Sequence, residues 1–86
     1  MADYEFTTQA RKDVKSLTPE IAARIIKKLD YYISAEDPLV YAERLTNYEI
    51  GSYRFRVGDY RVVFDLEEDK MVILKVGHRR DIYKHK

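Results

Sequence analysis

The 86-residue chain contains no cysteine and only three glycines. Without cysteine, neither a disulfide framework nor a thiolate metal site can form. Three scattered glycines provide no glycine-rich loop of the kind that cradles nucleotide phosphates. The two histidines, His78 and His85, stand at no metal-ligand spacing from each other or from a carboxylate. The sequence therefore predicts a protein that uses no metal, nucleotide or other small-molecule cofactor.

Long apolar segments are also absent. No run approaches the ~18 apolar residues that a membrane-spanning helix requires. The N-terminal MADYEFTTQ has no apolar core of the signal-peptide type, so we expect a cytoplasmic protein without a membrane partner. Hydrophobic residues make up 45% and charged residues 36% of the chain, a balance typical of a globular domain. At this length we expect a single domain spanning residues 1–86.

Charge is unevenly distributed, although the formal net charge is only +1. Residues 1–52 carry a net charge of −2 and residues 62–74 carry −3. The intervening residues 53–61 carry +2, and the C-terminal residues 75–86 carry +4. Two basic blocks of this kind produce a local positive field if the fold brings them together.

The order of elements predicts an α+β fold. Residues 3–6 suggest a short strand, and Thr7 or Thr8 offers the N-cap of a first helix. Thr18 and Pro19 mark a second helix start, followed by apolar residues at every fourth position up to Ile33. Asp37-Pro38 ends this helical hairpin. Residues 39–52 suggest a packed connector with a helical turn.

The second half of the chain predicts three strands. Residues 53–57 and 60–65 alternate apolar with polar side chains around a Gly-Asp turn. Residues 71–76 form a nearly continuous apolar run, as expected of a central strand covered on both faces. The predicted architecture is β-α-α-β-β-β with a short C-terminal helical turn. In it, the helical hairpin packs on one face of a small, twisted, largely antiparallel sheet.

The stretch YRFRVGDYR raises the question of why three arginines share one hairpin. A two-residue loop pairs Val57 with Tyr60 and Arg56 with Arg61, which places Arg54, Arg56 and Arg61 on the face opposite the helices. Two arginines directly opposite each other cost up to ~1 kcal/mol. Either both side chains extend into water, or a carboxylate from elsewhere neutralises them, or the cluster is a site for phosphate, for which the arginine fork is suited.

The following strand extends this basic surface. Alternate residues of a strand lie on the same face of a sheet. One face of this strand would carry Lys75, Gly77 and Arg79, and the other would carry Val72, Leu74, Val76 and His78. If Lys75 and Arg79 face the arginines, five cations converge on a sheet face that the helices leave uncovered. Such a face, with tyrosines nearby, is suited to RNA.

The segments YRFRVGDYRVVF and ILKVGHRRDIYK resemble the RelE branch of the RelE/ParE toxins of toxin–antitoxin modules. The resemblance covers nearly the whole chain. It implies a metal-independent, ribosome-dependent endonuclease that cuts messenger RNA in the ribosomal A site by attack of the RNA 2′-hydroxyl. The residues matching the family's catalytic positions are Arg54, Arg56, Arg61, Arg79 and Tyr83. The first two positions are often lysine in the family, which leaves the leaving-group acid open.

The chemistry of these side chains is compatible with the roles that the resemblance implies. Arg61 and Arg79 would clamp the phosphate, and Tyr83 would be the general base if neighbouring cations lower its pKa from ~10. His78 or His85 would be the acid, although the alternation at His78 favours core packing or a rim hydrogen bond. Further candidates for RNA contact are Lys75, His78, Arg80 and Lys84.

Two other functions compete with the nuclease. One is a ParE-like poison of DNA gyrase on the same fold, and the other is a non-catalytic module that binds RNA or protein. The nuclease implies messenger RNA and the ribosome as partners. A toxin also implies a cognate antitoxin, bound as an added strand or as a helix along the toxin surface.

Overall fold

The computed structural model describes residues 3–46 and 51–82. Within these residues the chain runs through strand β1 (Asp3–Phe6), helices α1 (Thr8–Lys15) and α2 (Pro19–Ser34), and a 3₁₀ helix (Pro38–Tyr41). Four further strands follow, β2 (Ala42–Arg44), β3 (Tyr53–Val57), β4 (Tyr60–Glu67) and β5 (Lys70–His78). After β5 a helical turn closes, in which the Asp81 and Ile82 amides donate to the His78 carbonyl at 2.9 and 3.0 Å. The predicted C-terminal turn is thus present.

Both helices begin at the predicted caps. The Thr7 hydroxyl accepts a hydrogen bond from the Ala10 amide, and the Thr18 hydroxyl accepts one from the Ile21 amide, with Pro19 at the first helical position. These caps satisfy amides that the first turn of a helix leaves without partners. The apolar stripe of α2 faces the sheet, where Ile25 and Leu29 are fully buried.

The strands form one mixed sheet in the order β1-β5-β4-β3-β2. β1 pairs with β5 in parallel, and the other neighbours are antiparallel. The predicted α+β class, with two helices on one face of a largely antiparallel sheet, is confirmed. Aromatic rings fill the space between the layers, since the Phe55 ring stacks on Phe64 at 4.6 Å and contacts Tyr32 at 4.4 Å between centroids.

Strand β2 is the element that the sequence did not predict. The predicted helical turn at the start of the connector is present as the 3₁₀ helix, but Ala42–Arg44 then pairs antiparallel with β3. Three residues are too short for an alternating pattern to be distinguished from a loop. The remainder of the connector includes residues 47–50, which lie outside the described part of the chain.

A β-bulge corrects the predicted faces of β5. Val63 pairs with Lys75, whereas the next residue of β4, Phe64, pairs with Ile73, so Leu74 is an extra residue in β5. A bulge of this kind reverses the alternation on its two sides. Val72 therefore lies opposite Asp65 and shares a face with Lys75, and the prediction that Val72 and Val76 share a face is wrong.

The sheet face opposite the helices, which we call the arginine face because it carries Arg54, Arg56 and Arg61, is partly covered. Val63 is fully buried there, and a methyl group added at Gly51 would lie 2.6 Å from its Cγ1 atom. Ile82, from the C-terminal turn, is buried against Gly77. The expectation of an uncovered face is therefore wrong, because the chain before β3 and the turn after β5 fold across part of it.

Candidate nucleic-acid interface

Two rows of side chains cross the arginine face from strand to strand. The first row contains Glu43, Arg54, Val63 and Lys75, and the second contains Arg56, Arg61 and Gly77. Neighbouring strands lie about 4.8 Å apart, so the cationic members are close neighbours. Lys75 faces the same way as the three arginines, as the sequence conditionally predicted, and it is partly buried.

Glu43 bridges two of the arginines. Its Oε2 atom lies 3.0 Å from Arg54 Nη2, and its Oε1 atom lies 3.2 Å from Arg56 Nε. The sequence left open that a carboxylate from elsewhere neutralises the cluster, and Glu43 is that carboxylate. It was not identified because it belongs to the three-residue strand β2. The only signal in the sequence was an acidic residue between Ala42 and Arg44.

The arginines hold Glu43 in its ionised form. The hydrogen bond from Arg54 lowers the pKa of Glu43 below its ordinary value of 4.5. Desolvation opposes this shift, and the charges of Arg54, Arg56 and Arg61 add to it. The charge of Arg61 has the smallest of these effects. Two guanidinium groups, those of Arg54 and Arg56, contact the carboxylate directly.

The like-charge pair of Arg56 and Arg61 is confirmed by the strand register. The structure separates the two side chains. Arg56 turns toward Glu43 and is 63% exposed, whereas Arg61 is only 6% exposed and folds into the hairpin turn. There Arg61 Nη1 donates to the carbonyls of Gly58 and Tyr60, both at 3.0 Å. Arg61 is therefore a fixed, buried charge beneath the surface.

Arg79 reaches the same hairpin turn from β5. Its amide donates to the Asp59 carbonyl at 2.7 Å, and its Nε lies 3.8 Å from Asp59 Oδ1. The turn can adopt this shape because Gly58 has a φ of 61°, a conformation that costs glycine little. Arg79 is 56% exposed, so its guanidinium is available to a ligand beside the hairpin turn.

The histidine of β5 lies elsewhere. His78 pairs with Tyr60 on the helix side of the sheet, where the two rings meet edge to face at 5.4 Å. Its Nδ1 atom accepts a hydrogen bond from the Arg80 amide at 3.1 Å. The rim hydrogen bond that the alternation favoured is present, and the structure does not bring His78 together with the arginines. Arg80 is exposed in the C-terminal turn.

Three residues with predicted roles, Tyr83, Lys84 and His85, lie outside the described residues. Among residues 3–46 and 51–82, no group of three or more histidine, aspartate or glutamate side chains could hold a metal ion. Over the same residues, no helix has the length and apolar character needed to cross a membrane.

Comparison with known proteins identifies the class. The family model of the ParE toxin of the type II toxin–antitoxin system parDE matches residues 4–83. The toxin RelG of Mycobacterium tuberculosis is 36% identical over 81 residues, which cover 92% of each chain. The chain therefore belongs to the RelE/ParE superfamily of type II toxin–antitoxin toxins.

Solved structures agree with the RelE branch. A chain in the toxin–antitoxin complex RelBE2 of M. tuberculosis superposes with a TM-score of 0.78 at 32% identity, covering 91% of this chain and 98% of that one. A chain in the RelB–RelE complex of Methanococcus jannaschii gives 0.64 at 26% identity, covering 91% and 93%. The protein is a type II toxin of the RelE family.

Proposed function

We propose that this toxin is a ribosome-dependent endoribonuclease that cuts messenger RNA in the A site, without a metal, by attack of the RNA 2′-hydroxyl on the adjacent phosphate. The observation that carries the proposal is the convergence of Arg54 and Arg56 on one anion, Glu43, on the arginine face, with the buried charge of Arg61 on the neighbouring strand. A cluster that holds one carboxylate with two guanidinium groups has the chemistry to hold a phosphate.

The arginines divide into contact residues and a supporting charge. Arg56 and Arg79 are more than half exposed, and Arg54 is 23% exposed, so these three would contact the scissile phosphate and its neighbours. Arg61 is buried and held by turn carbonyls, so it would stabilise the growing negative charge from beneath rather than clamp the phosphate. Preorganised positive charge of this kind stabilises a phosphoryl transition state.

Proton transfer would involve the C-terminal residues. Tyr83 remains the proposed general base, because it matches the tyrosine position of the family. The acid that protonates the leaving 5′-oxygen would be His78 or His85. His78 lies on the helix side of the sheet, away from the arginines, and His85 lies outside the described residues. Lys75, Arg80 and Lys84 would bind RNA without taking part in proton transfer.

The toxin would be silenced by a cognate antitoxin. The structural relatives in M. tuberculosis and M. jannaschii were both solved as toxin–antitoxin complexes. A partner that adds a strand would use β1 or β2, the two edges of the five-stranded sheet.

A second candidate function is poisoning of DNA gyrase. The specific observation that favours it is that the matching family model describes the ParE toxin of parDE. Under this alternative the protein binds a protein–DNA complex and cleaves no RNA itself.

Toeprinting of a translated message distinguishes the two functions. Wild-type protein should produce A-site cleavage, and Arg79→Ala should reduce its rate about 10²- to 10³-fold, the usual cost of losing one preorganised donor. Arg11→Ala is the matched control, because Arg11 is an exposed arginine on α1, away from the arginine face. This variant should cleave normally.

The other outcomes decide against the nuclease or against its proposed site. An intact message together with stalled gyrase–DNA complexes would establish the gyrase poison. An intact message without any effect on DNA would leave a binding module. Cleavage that persists in Arg79→Ala and disappears in Arg11→Ala would locate the active surface on the helices instead.

A further inference from the structure

Glu43 makes two ion pairs at an exposed edge of the sheet. It lies on β2, an edge strand of three residues, and its side chain is 45% exposed. Ion pairs at exposed positions contribute little to stability, because water screens the charges and the side chains lose rotamer freedom. Glu43 nevertheless places one oxygen on Arg54 and the other on Arg56.

The two oxygens of Glu43 satisfy the arginines as two non-bridging oxygens of a phosphodiester would. Carboxylate and phosphate both accept charge-assisted hydrogen bonds from guanidinium groups at distances of about 3 Å. Each arginine contacts a different oxygen of the same carboxylate. Arg54 and Arg56 are therefore directed at a single point above the sheet. An incoming phosphate that binds both arginines must occupy that point.

The same contacts argue against Glu43 as the proton acceptor. Each of its oxygens already lies within 3.2 Å of a guanidinium nitrogen, and an efficient general base has a pKa near the working pH. The arginines lower the pKa of Glu43 and so move it further below neutral pH. Glu43 therefore acts through the arginines, as a positioning residue.

We propose that Glu43 is an internal stand-in for the RNA phosphate, which keeps Arg54 and Arg56 directed at one anion site and must be displaced when RNA binds. This inference rests on the proposed function, because it takes the arginine face as the RNA surface. Displacement is feasible because β2 contributes only three residues to the edge of the sheet. Short edge segments open at low cost relative to the core.

The consequence is that removing Glu43 should strengthen RNA binding. RNA must break the two exposed ion pairs of Glu43 in order to bind, and each pair is worth about 0.2–1 kcal/mol. Without them, Glu43→Gln should bind RNA with a Kd about two- to thirty-fold lower than that of wild type. If Glu43 directed the arginines without occupying the RNA site, the sign would be the opposite, since the two arginines would lose their common direction and bind RNA more weakly or equally. Glu43→Asp, whose shorter side chain retains the charge, should bind RNA with an affinity between wild type and Glu43→Gln.

The experiment measures binding of a short single-stranded RNA oligonucleotide to the full chain by fluorescence anisotropy, without ribosomes. Glu5→Gln is the matched control. Glu5 is an exposed glutamate on the arginine face, it pairs with Lys70 at 3.2 Å, and it lies on β1 at the opposite edge of the sheet. Its replacement changes the net charge equally, so any tightening that it produces measures the general charge effect alone.

A lower Kd for Glu43→Gln than for both wild type and Glu5→Gln supports the inference. Equal affinities, weaker binding by Glu43→Gln, an equal gain in Glu5→Gln, or no measurable binding by any of the proteins would overturn it. Loss of kcat in Glu43→Gln at unchanged Kd would also overturn it and would make Glu43 the proton acceptor.

Cleavage on ribosomes, measured with the same preparations, tests the proposed function separately. If Glu43→Gln binds RNA more tightly but no variant cuts the message, the anion site stands and the nuclease fails. If the wild type cuts the message but Glu43→Gln shows no gain in affinity, the nuclease stands and the role of Glu43 fails.

Discussion

Replacing Arg61 by alanine should destabilise the protein, whereas the same replacement at Arg79 should not. The two arginines contribute the same formal charge to one side of the hairpin turn. Arg61 is 6% exposed and donates to two backbone carbonyls at 3.0 Å, whereas Arg79 is half exposed and lies 3.8 Å from its carboxylate partner. Arg61 therefore stabilises the fold in addition to contributing charge to the site.

The magnitude follows from these contacts. Hydrogen bonds that involve a charged group contribute about 1.5–3 kcal/mol to stability. Carbonyl oxygens that lose their donor cost further free energy if water cannot replace it. Removing Arg61 also relieves the repulsion with Arg56 across the strands, which returns up to ~1 kcal/mol. Both bonds come from Arg61 Nη1, so we count them as one contribution and expect a net loss of about 0.5–3 kcal/mol in the free energy of unfolding. In a domain of this size, that loss lowers Tm by roughly 2–24 °C.

Thermal and urea unfolding followed by circular dichroism measures the effect, with Arg79→Ala as the matched control. Arg79→Ala should unfold within about 0.5 kcal/mol of wild type, as exposed ion pairs usually do. An Arg61→Ala protein as stable as wild type would refute the reasoning and show that the turn carbonyls find water instead. Equal destabilisation in both variants would show that the turn depends on the Asp59 contact as much as on Arg61.

Three further predictions concern the surroundings of the site. Gly51→Ala should cost about 1–3 kcal/mol in urea unfolding, because its methyl group would lie 2.6 Å from Val63 Cγ1; the cost should be smaller in a Val63→Ala background, and additive costs would refute the clash. Because the folded pKa of Glu43 is lowered, its ion pairs stabilise the protein above the ordinary value of 4.5 and this contribution disappears as the pH falls through the lowered value. The stability difference between wild type and Glu43→Gln should therefore shrink on acidification, and a constant difference would contradict the assignment. Burial and the hydrogen bond to Asp30 raise the pKa of Tyr4 to about 12, so its stabilising effect is present below pH 10 and is lost as the pH rises toward 12. An ultraviolet titration of wild type should show one tyrosine that ionises near pH 12 and that Tyr4→Phe lacks.

The candidate site was predictable where it depends on one hairpin. The Gly-Asp turn between alternating runs is sufficient to pair Arg56 with Arg61, and the register confirms that pairing. The partner of the arginines was not predictable, because Glu43 comes from a strand too short to leave a periodic signal. The face of Val72 was mispredicted for a related reason, since one extra residue at Leu74 reverses the alternation and no residue type announces it.

The sequence by itself determined the α+β class, a first helix start at Thr7 or Thr8, a second at Thr18, and the cationic character of the β3–β4 hairpin. These features depend on local rules of capping, periodicity and turn geometry, which act over a few residues. Tertiary structure alone decided that β1 joins β5 in parallel, that Arg61 is buried while Arg56 is exposed, and that Glu43 stands between two arginines. Those outcomes depend on which distant segments share a sheet edge and on which atoms exclude water, and neither is encoded in the spacing of residues along the chain.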